Sequence, residues 1–386
     1  MKSWTLIDHA TDVFQAAFEP PAGSLPKECK LSLKTLKGGL RDGVQVLTVD
    51  GGGMSLQILP TRGMGVWRGA AGGINLGWQS PIKGPVHPKF VSIAQPDGLG
   101  WLWGFDEMLA RCGLESNGAP DFDTHGLLKY PLHGRIADIP AHNLVVGFDD
   151  ATNELVVQGQ VDESRLHFAK LRLRTTYRIK AGSHRVEVID EIVNLSGAPG
   201  ECQMLYHVNF GPPLCAPGSR ILAPVETIVA RTKHAAEHIG HWEVFGPAQA
   251  GFEEQVYFYR LHADAQEQTL ALLQSPDKKT GVSLHWSRKD LPCFTLWKNQ
   301  VTFEDGYVVG IEPGTNFPNP RSFETTEGRI VKLPPGGSHR IAWAIEVHPD
   351  AASVASAEKR IDQIRGGRSP EILASKTGWT LPPKAE

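Results

Sequence analysis

The spacing of glycine and proline constrains the fold of this chain more than any other feature of its sequence. The 386 residues include 41 Gly and 28 Pro, spread along the whole length, and only short apolar runs lie between them. Gly and Pro interrupt long helices and occupy tight turns, so this distribution predicts many short strands joined by turns. Segments with the 3.6-residue period of an amphipathic helix are rare. The sequence therefore predicts an all-β protein.

Several of the apolar runs alternate with polar residues, as half-buried strands do. Residues 30–35, 54–60 and 171–177 are examples. The strongest alternation lies within residues 143–195, where turn signals recur at the spacing of an antiparallel sandwich. We therefore expect a large antiparallel β-sandwich with a few short helices.

Two segments have helical character instead. Residues 105–113 form a candidate short helix that ends at Gly113, and residues 351–364 form a second one, capped by Asp350. The stretch 79–125 is the least regular part of the chain, and long irregular segments in compact domains are often functional.

No linker or internal repeat divides the chain. We therefore predict one domain over residues 1–386, with a core of about residues 30–350 and a C-terminal helix and tail over 351–386.

Charge and cysteine usage exclude several classes of protein. The formal net charge is −3 without a basic block, which argues against nucleic acid and anionic membranes as partners. No apolar run approaches the roughly 20 residues of a membrane helix, and the first residues lack the apolar segment of a signal peptide, so we expect a cytoplasmic protein. The five cysteines are scattered and form no CxxC pair, which argues against a disulfide framework or a zinc ribbon.

Two stretches combine the composition of a core strand with an ionisable side chain. Residues 204–211 contain His207, and residues 309–316 contain Glu312. A buried imidazole or carboxylate is costly unless it is paired or used. We interpret His207 and Glu312 as an acid/base couple that meets in a sugar-binding cleft.

The chemistry of sugar-ring opening fits this couple. A base must take the proton of the anomeric hydroxyl while an acid protonates the ring oxygen, and a carboxylate and an imidazole suit these roles near neutral pH. Arginine, histidine and amide groups can hold the remaining hydroxyls, and indole rings can stack on the sugar. The candidate sugar-binding residues are Arg62, His125, His133, Asn209, Glu254, Trp297 and Lys298.

Three of these motifs resemble a known superfamily in order and spacing over roughly residues 40–350. Leu132-His133-Gly134, the strand 206–211 and the strand 311–316 are similar to segments of the aldose 1-epimerases, or galactose mutarotases. The similarity is greatest to a bacterial branch of mutarotase-like proteins that is largely without assigned function. Shared with that branch are the segments 62–64, 133–136, 206–211, 254–257 and 312–313.

The resemblance implies a large antiparallel β-sandwich, with Glu312 as base, His207 as acid, and His133 and Arg62 as hydroxyl binders. It implies no cofactor and no metal. Mutarotases carry an aspartate where this chain has Glu253 and Glu254, and the sequence does not decide between these two glutamates. The residues after His207 also depart from the mutarotase pattern, which argues against plain galactose or glucose as the substrate.

Two other functions stay open. One is a non-catalytic carbohydrate-binding or sensing protein. The other is a metal-dependent sugar isomerase or lyase, in which His125, His133, His207 and Glu312 would hold Mn or Zn. The expected partner in every case is a small-molecule sugar, and a homodimer is a further possibility.

Overall fold

The computed structural model describes residues 2–381, and strands make up most of its regular structure. The strands are, in chain order, β1 (Lys2–Asp8), β2 (Val13–Phe14), β3 (Ala17–Phe18), β4 (Lys30–Thr35), β5 (Gln45–Asp50), β6 (Met54–Leu59), β7 (Gly65–Ala71), β8 (Ile74–Leu76), β9 (Leu109–Leu114), β10 (Asp121–Phe122), β11 (Leu128–Tyr130), β12 (Asn143–Asp149), β13 (Glu154–Ser164), β14 (Lys170–Lys180), β15 (Arg185–Asn194), β16 (Gly200–Phe210), β17 (Arg220–Leu222), β18 (Val225–Ala230), β19 (Gln255–Leu261), β20 (Gln268–Gln274), β21 (Gly281–Ser287), β22 (Cys293–Asn299), β23 (Val308–Gly314), β24 (Val331–Leu333), β25 (Ser338–His348) and β26 (Glu371–Leu373).

The helices are few and short. The α-helices are α1 (Lys233–Glu237), α2 (Arg321–Thr326) and α3 (Ala351–Arg365), and the 3-10 helices are Gly39–Arg41, Pro88–Phe90, Gly100–Gly104, Ile136–Asp138 and Ile239–His241. Within residues 2–381, no helix combines the length and the apolar character needed to cross a membrane.

Two large sheets form the architecture. One has ten strands in the order β17-β20-β21-β25-β15-β14-β13-β12-β1-β2, and the other has the path β26-β18-β19-β22-β23-β16-β9-β7-β6-β5-β4-β3, with β24 added on β16 and β8 on β7. The strand pairs are antiparallel except for β18 with β26, which is parallel. The all-β sandwich predicted from the sequence is confirmed, whereas the single-domain organisation stays a prediction.

Local predictions succeeded where the pattern was strong. Strand β4 has the predicted bounds, and α3 begins after Asp350, whose side chain accepts a hydrogen bond from the Ser353 backbone N–H at 2.8 Å. The helix predicted over residues 105–113 is wrong, because Leu109–Leu114 form strand β9. All six residues of β9 are buried between β7 and β16, so tertiary pairing overrides the local preference.

An ion pair crosses the hydrophobic core between the two sheets. Arg111 on β9 donates to both carboxylate oxygens of Asp190 on β15, at 2.6 and 3.0 Å. The other N–H groups of Arg111 reach the Met64 carbonyl, Tyr177 and Thr175, so all five donors are used. Burial alone would lower the pKa of Arg111, but the charge and hydrogen bond of Asp190 together with the nearby Tyr177 and Tyr206 outweigh it, and the pKa is raised. The guanidinium is therefore a fully satisfied buried cation.

This ion pair predicts a large difference between two adjacent carboxylates of β15. Asp190→Asn removes the charge that compensates Arg111, and we expect it to lower the free energy of unfolding by about 3–5 kcal/mol in urea titrations. Glu191→Gln is the matched control, because Glu191 pairs with the half-exposed Arg174 and its loss should cost less than about 1 kcal/mol. Equal losses in the two variants would contradict this role of Arg111 and Asp190.

Candidate functional site

The register of two neighbouring strands places His207 directly opposite Glu312. Strands β16 and β23 pair Leu205 with Gly314 and Val208 with Ile311, so His207 and Glu312 are cross-strand partners. The pairing lapses between these two positions, where Pro313 lacks a backbone N–H. His207 Nε2 and Glu312 Oε1 lie 3.2 Å apart. Two residues separated by about a hundred positions thus form one buried couple.

Alternation along each strand decides which side chains share this face. On β16, Tyr206 and Val208 point into the core between the sheets, whereas His207 points to the opposite face. The adjacent strand β22 pairs Thr295 with Glu312 and Trp297 with Gly310. Strand β19, on the other side of β22, adds Val256, so four neighbouring strands supply the floor of a cleft.

Gly310 is required on this floor. A Cβ atom there would stand 2.4 Å from Glu312 Oε1, 2.9 Å from the His207 ring and 3.2 Å from the Trp297 ring. The missing side chain allows all three groups to converge over one point.

Irregular segments form the walls of the cleft. Residues 77–108 contain no strand, and this segment and residues 115–135 fold over the outer face of the fourteen-stranded sheet. The cleft has a volume of about 280 Å³. Its lining consists of Leu99, Trp101, Leu102, Phe105, Ala119, Pro120, Leu132, His133, His207, Arg231, Glu254, Val256, Thr295, Trp297, Glu312 and Pro318.

Asn209 fixes the tautomer of His207. The Asn209 amide nitrogen donates to the carbonyls of Glu107 and His207, at 3.0 and 3.1 Å, so its oxygen faces His207 Nδ1 at 2.6 Å. An amide oxygen only accepts, so Nδ1 carries the proton and Nε2 of the neutral ring presents a lone pair to Glu312. Burial and the neighbouring His133 hold the pKa of His207 well below 6.5.

Glu312 is the complementary half of the couple. Its side chain is buried, and burial followed by the charge of Glu254 raises its pKa well above 4.5, against the opposing charge of Arg231. Among the described residues, no group donates a hydrogen bond to Oε1, which faces the lone pair of His207 Nε2. Burial therefore favours the uncharged forms of both partners, a carboxylic acid at Glu312 and a neutral ring at His207.

His133 lies on the wall and faces the same space. Its Nδ1 contacts the Asn117 carbonyl at 3.0 Å and must donate to it, so Nε2 is left as an acceptor. Burial lowers the pKa of His133 to about 4. The His133 ring is perpendicular to the His207 ring, with centroids 5.3 Å apart.

Glu254, Trp297 and Arg231 form a polar edge of the cleft. Trp297 Nε1 donates to Glu254 Oε2 at 2.7 Å, and Arg231 lies 3.8 Å from the other carboxylate oxygen. Of the two glutamates left open by the sequence, Glu254 lines the cleft and Glu253 does not. Arg231 was not predicted, because it follows a strand end without any distinguishing pattern.

Two further polar groups in the cleft lack partners. Trp101 Nε1 and Thr295 Oγ1 are buried and make no hydrogen bond within residues 2–381. Neither Trp101 nor Thr295 was predicted as a site residue from the sequence. Thr295 has a recognisable signal, since it alternates with Trp297 along β22 and so shares its face.

Four predicted sugar-binding residues lie outside the cleft, and these assignments need correction. Arg62 is buried in a separate network, where it pairs with Glu107 and Asp138 and donates to two backbone carbonyls. Asn209 lies behind His207 and does not line the cleft.

The other two predicted residues outside the cleft are Lys298 and His125. Lys298 follows Trp297 on β22 and therefore points to the opposite face, where Nζ donates to the carbonyls of Trp242 and Val244. Burial lowers its pKa to about 8. His125 is exposed in the turn between β10 and β11.

The alternative metal site is not assembled from its four predicted ligands, because His125 is exposed in a turn and does not line the cleft. Among residues 2–381, the group of potential ligands that does converge is His234 and Glu237 on α1 with His238 directly after it, and this group does not line the cleft. Sequence analysis overlooked this H-x-x-E-H spacing.

Comparisons with known proteins agree with the fold. A family model described as "Domain of unknown function (DUF4432)" matches residues 41–347. No functionally curated protein matches the chain. A crystal structure from Klebsiella pneumoniae subsp. pneumoniae MGH 78578, described as a "putative aldose 1-epimerase", superposes with a TM-score of 0.93 at 33% identity, covering 97% of this chain and 98% of that chain.

More distant structures share the fold alone. A galactose mutarotase-like protein from Clostridium acetobutylicum has a TM-score of 0.57 at 15% identity over 83% of this chain and 99% of that chain. Galactose 1-epimerase from Lactobacillus acidophilus NCFM has a TM-score of 0.56 at 12% identity over 83% and 98%, respectively.

The Asn209 contact predicts the protonation of His207 in solution. In ¹⁵N spectra of the histidine rings between about pH 6 and 8, we expect His207 to be neutral with the proton on Nδ1. Asn209→Leu removes the acceptor and should give a mixture of tautomers, whereas Asn299→Leu, which removes an amide on the different strand β22, should leave the His207 signals in place. An Nε2–H tautomer in the unmodified protein would contradict the assignment.

The raised pKa of Glu312 predicts a pH-dependent gain from Glu312→Gln. The fold favours the uncharged acid, so the wild-type protein loses stability as the pH rises above 4.5 toward the folded-state pKa. Glutamine mimics the uncharged acid and avoids this loss. We expect the Tm of the variant to exceed that of the wild type by an amount that grows between about pH 5 and 8. A Tm difference between variant and wild type that is constant with pH would contradict the raised pKa of Glu312.

Proposed function

We propose that this chain, which belongs to the DUF4432 family, is a cofactor-free aldose 1-epimerase or a related sugar epimerase. The observation that carries the proposal is the couple of His207 and Glu312, whose facing atoms lie 3.2 Å apart on the floor of the cleft, with Glu312 Oε1 unpartnered. The 33% identity to the Klebsiella protein over nearly the whole chain supports the same chemistry.

One shared proton suffices for ring opening. In the proposed reaction Glu312 takes the proton of the anomeric hydroxyl as His207 gives a proton to the ring oxygen, the bond between C1 and the ring oxygen breaks, and a carbonyl forms at C1. Rotation about the bond between C1 and C2 and the reverse steps give the other anomer. In the reactive form Glu312 is a carboxylate and His207 is an imidazolium. This form arises from the neutral pair by transfer of one proton from Glu312 Oε1 to His207 Nε2.

The buried aromatic surroundings of His207 support its role in proton transfer. The rings of Phe105 and Trp297 have centroids 4.9 and 5.4 Å from that of His207. In a water-poor site, small movements of charge have large energetic effects, so binding of a polar sugar can shift the proton between the two partners.

We propose that the remaining polar groups hold the sugar hydroxyls. His133 Nε2 accepts, Trp101 Nε1 donates, and Thr295 Oγ1 can do either. Glu254 and Arg231 offer an acceptor and a donor side by side, and their opposite charges favour a neutral sugar over an acidic one. A cytoplasmic location and a homodimer stay predictions.

A non-catalytic sugar-binding protein is the second candidate, because the unpartnered atoms of Trp101 and Thr295 serve binding equally well. It predicts that a sugar raises the Tm without any acceleration of anomer exchange. Thermal shifts and exchange rates measured on the same set of sugars separate the two functions.

The catalytic proposal predicts large losses from conservative changes to the couple. We expect Glu312→Gln and His207→Gln each to slow anomer exchange by about 10²–10⁴-fold, measured by exchange NMR on a panel of aldoses. Glu253→Gln is the matched control, since Glu253 is exposed beside the cleft without lining it, and it should retain full activity. Full activity of Glu312→Gln on the best aldose would refute the assigned roles.

A further inference from the structure

A second and larger cavity lies on the outer face of β6, β7 and β8. This groove has a volume of about 690 Å³, compared with about 280 Å³ for the cleft. Asp106 lines the groove, whereas its neighbour Phe105 lines the cleft. The two cavities therefore share a wall at one short segment of the chain.

The groove is polar because of strand alternation. Met54 and Leu56 point into the core, so Ser55 and Gln57 point outward. Cross-strand pairing sets Gln57 beside Arg68 on β7, and the small side chain of Ala70 leaves the floor open. The polar side chains that line the groove besides Asp106 are Ser55, Gln57, Arg68, Asn75, Gln79 and Ser80.

Asp106 has an unused acceptor. The residue is 5% exposed, and its Oδ2 accepts a hydrogen bond from Trp67 Nε1 at 3.0 Å. Its Oδ1 has no partner among the described residues. Burial, followed by the charge of Glu107, raises the pKa of Asp106 to about 7. A buried acceptor without a donor is unfavourable, so the carboxylate lacks part of the hydrogen bonding that it would have in water.

We propose that this groove is a second small-molecule site, for a neutral polyhydroxylated ligand whose hydroxyl donates to the Asp106 carboxylate in the groove wall. The amide groups of Gln57, Asn75 and Gln79 are lined up to pair with further hydroxyls, since each offers both a donor and an acceptor. Arg68 at the groove offsets the charge of Asp106, which favours a neutral ligand over a charged one. The site is independent of the function proposed for the cleft.

The shared wall determines how the site must be tested. The Glu107 carbonyl accepts from Trp78 Nε1, in the wall of the groove, at 3.1 Å and from the Asn209 amide, behind His207, at 3.0 Å. A ligand in the cleft can therefore disturb Trp78 as well. A variant that closes the groove alone is needed to separate the two sites.

Indole N–H signals provide a readout for each cavity. In ¹H–¹⁵N spectra, Trp67 and Trp78 report on the groove, and Trp101 and Trp297 report on the cleft. Titration with D-glucose, D-galactose, myo-inositol and glycerol up to about 50 mM should move the Trp67 and Trp78 signals saturably for at least one of them. Asp106→Asn should weaken that binding by about tenfold.

Ala70→Trp is the decisive variant, because its indole fills the groove from the strand that forms the floor. We expect it to abolish the ligand-dependent shifts of Trp67 while the cleft signals still respond. Ala352→Trp adds the same group at an exposed position of α3 and should bind like the wild type. The proposal is overturned if none of the four probes moves the Trp67 signal, or if the movement persists with the same Kd in Ala70→Trp.

Discussion

The buried ion pair of Arg111 and Asp190 restricts which faces of β9 and β15 can meet in the core. It joins the two sheets through the middle of an apolar core, where a misplaced guanidinium would be an uncompensated charge. Arg111 is the backbone partner of Tyr206, and the Tyr206 hydroxyl donates to Asp190 at 2.9 Å. The pairing and facing of β9 and β16 are thereby fixed, because a shift of one residue would bury the wrong side chains.

The candidate site follows from that constraint. Once Tyr206 points into the core, His207 must point to the opposite face, where β23 presents Glu312. Asn209, two residues further along, lies on the same side and holds the ring in one tautomer. The acid/base couple, its orientation and the floor beneath it are therefore consequences of strand alternation and register, while the irregular segments supply the walls.

The two cavities differ in the chemistry of their lining as well as in volume. The groove is larger, but its side chains are mostly amides and hydroxyls on the outer face of a sheet. The cleft is smaller and largely apolar, and it gathers the buried ionisable couple together with unpartnered polar atoms. Shifted pKa values of buried side chains make the cleft a candidate for catalysis, whereas the groove is a candidate for binding alone.

The fold class, several strands and the capped helix α3 could be predicted from the sequence alone, and His207 and Glu312 could be identified as candidates. These features depend on local periodicity or on an ionisable residue within an apolar run, both of which can be read along the chain. Of the other predicted sugar-binding residues, His133, Glu254 and Trp297 line the cleft, whereas Arg62, His125, Asn209 and Lys298 do not, and sugar binding by any of them stays a prediction. Only the tertiary structure decided which face of each strand meets the core, which strands are neighbours, and where loop residues such as Trp101 and Arg231 arrive. The physical reason is that period-two alternation defines two faces without saying which is buried, and that register depends on partners distant in the chain.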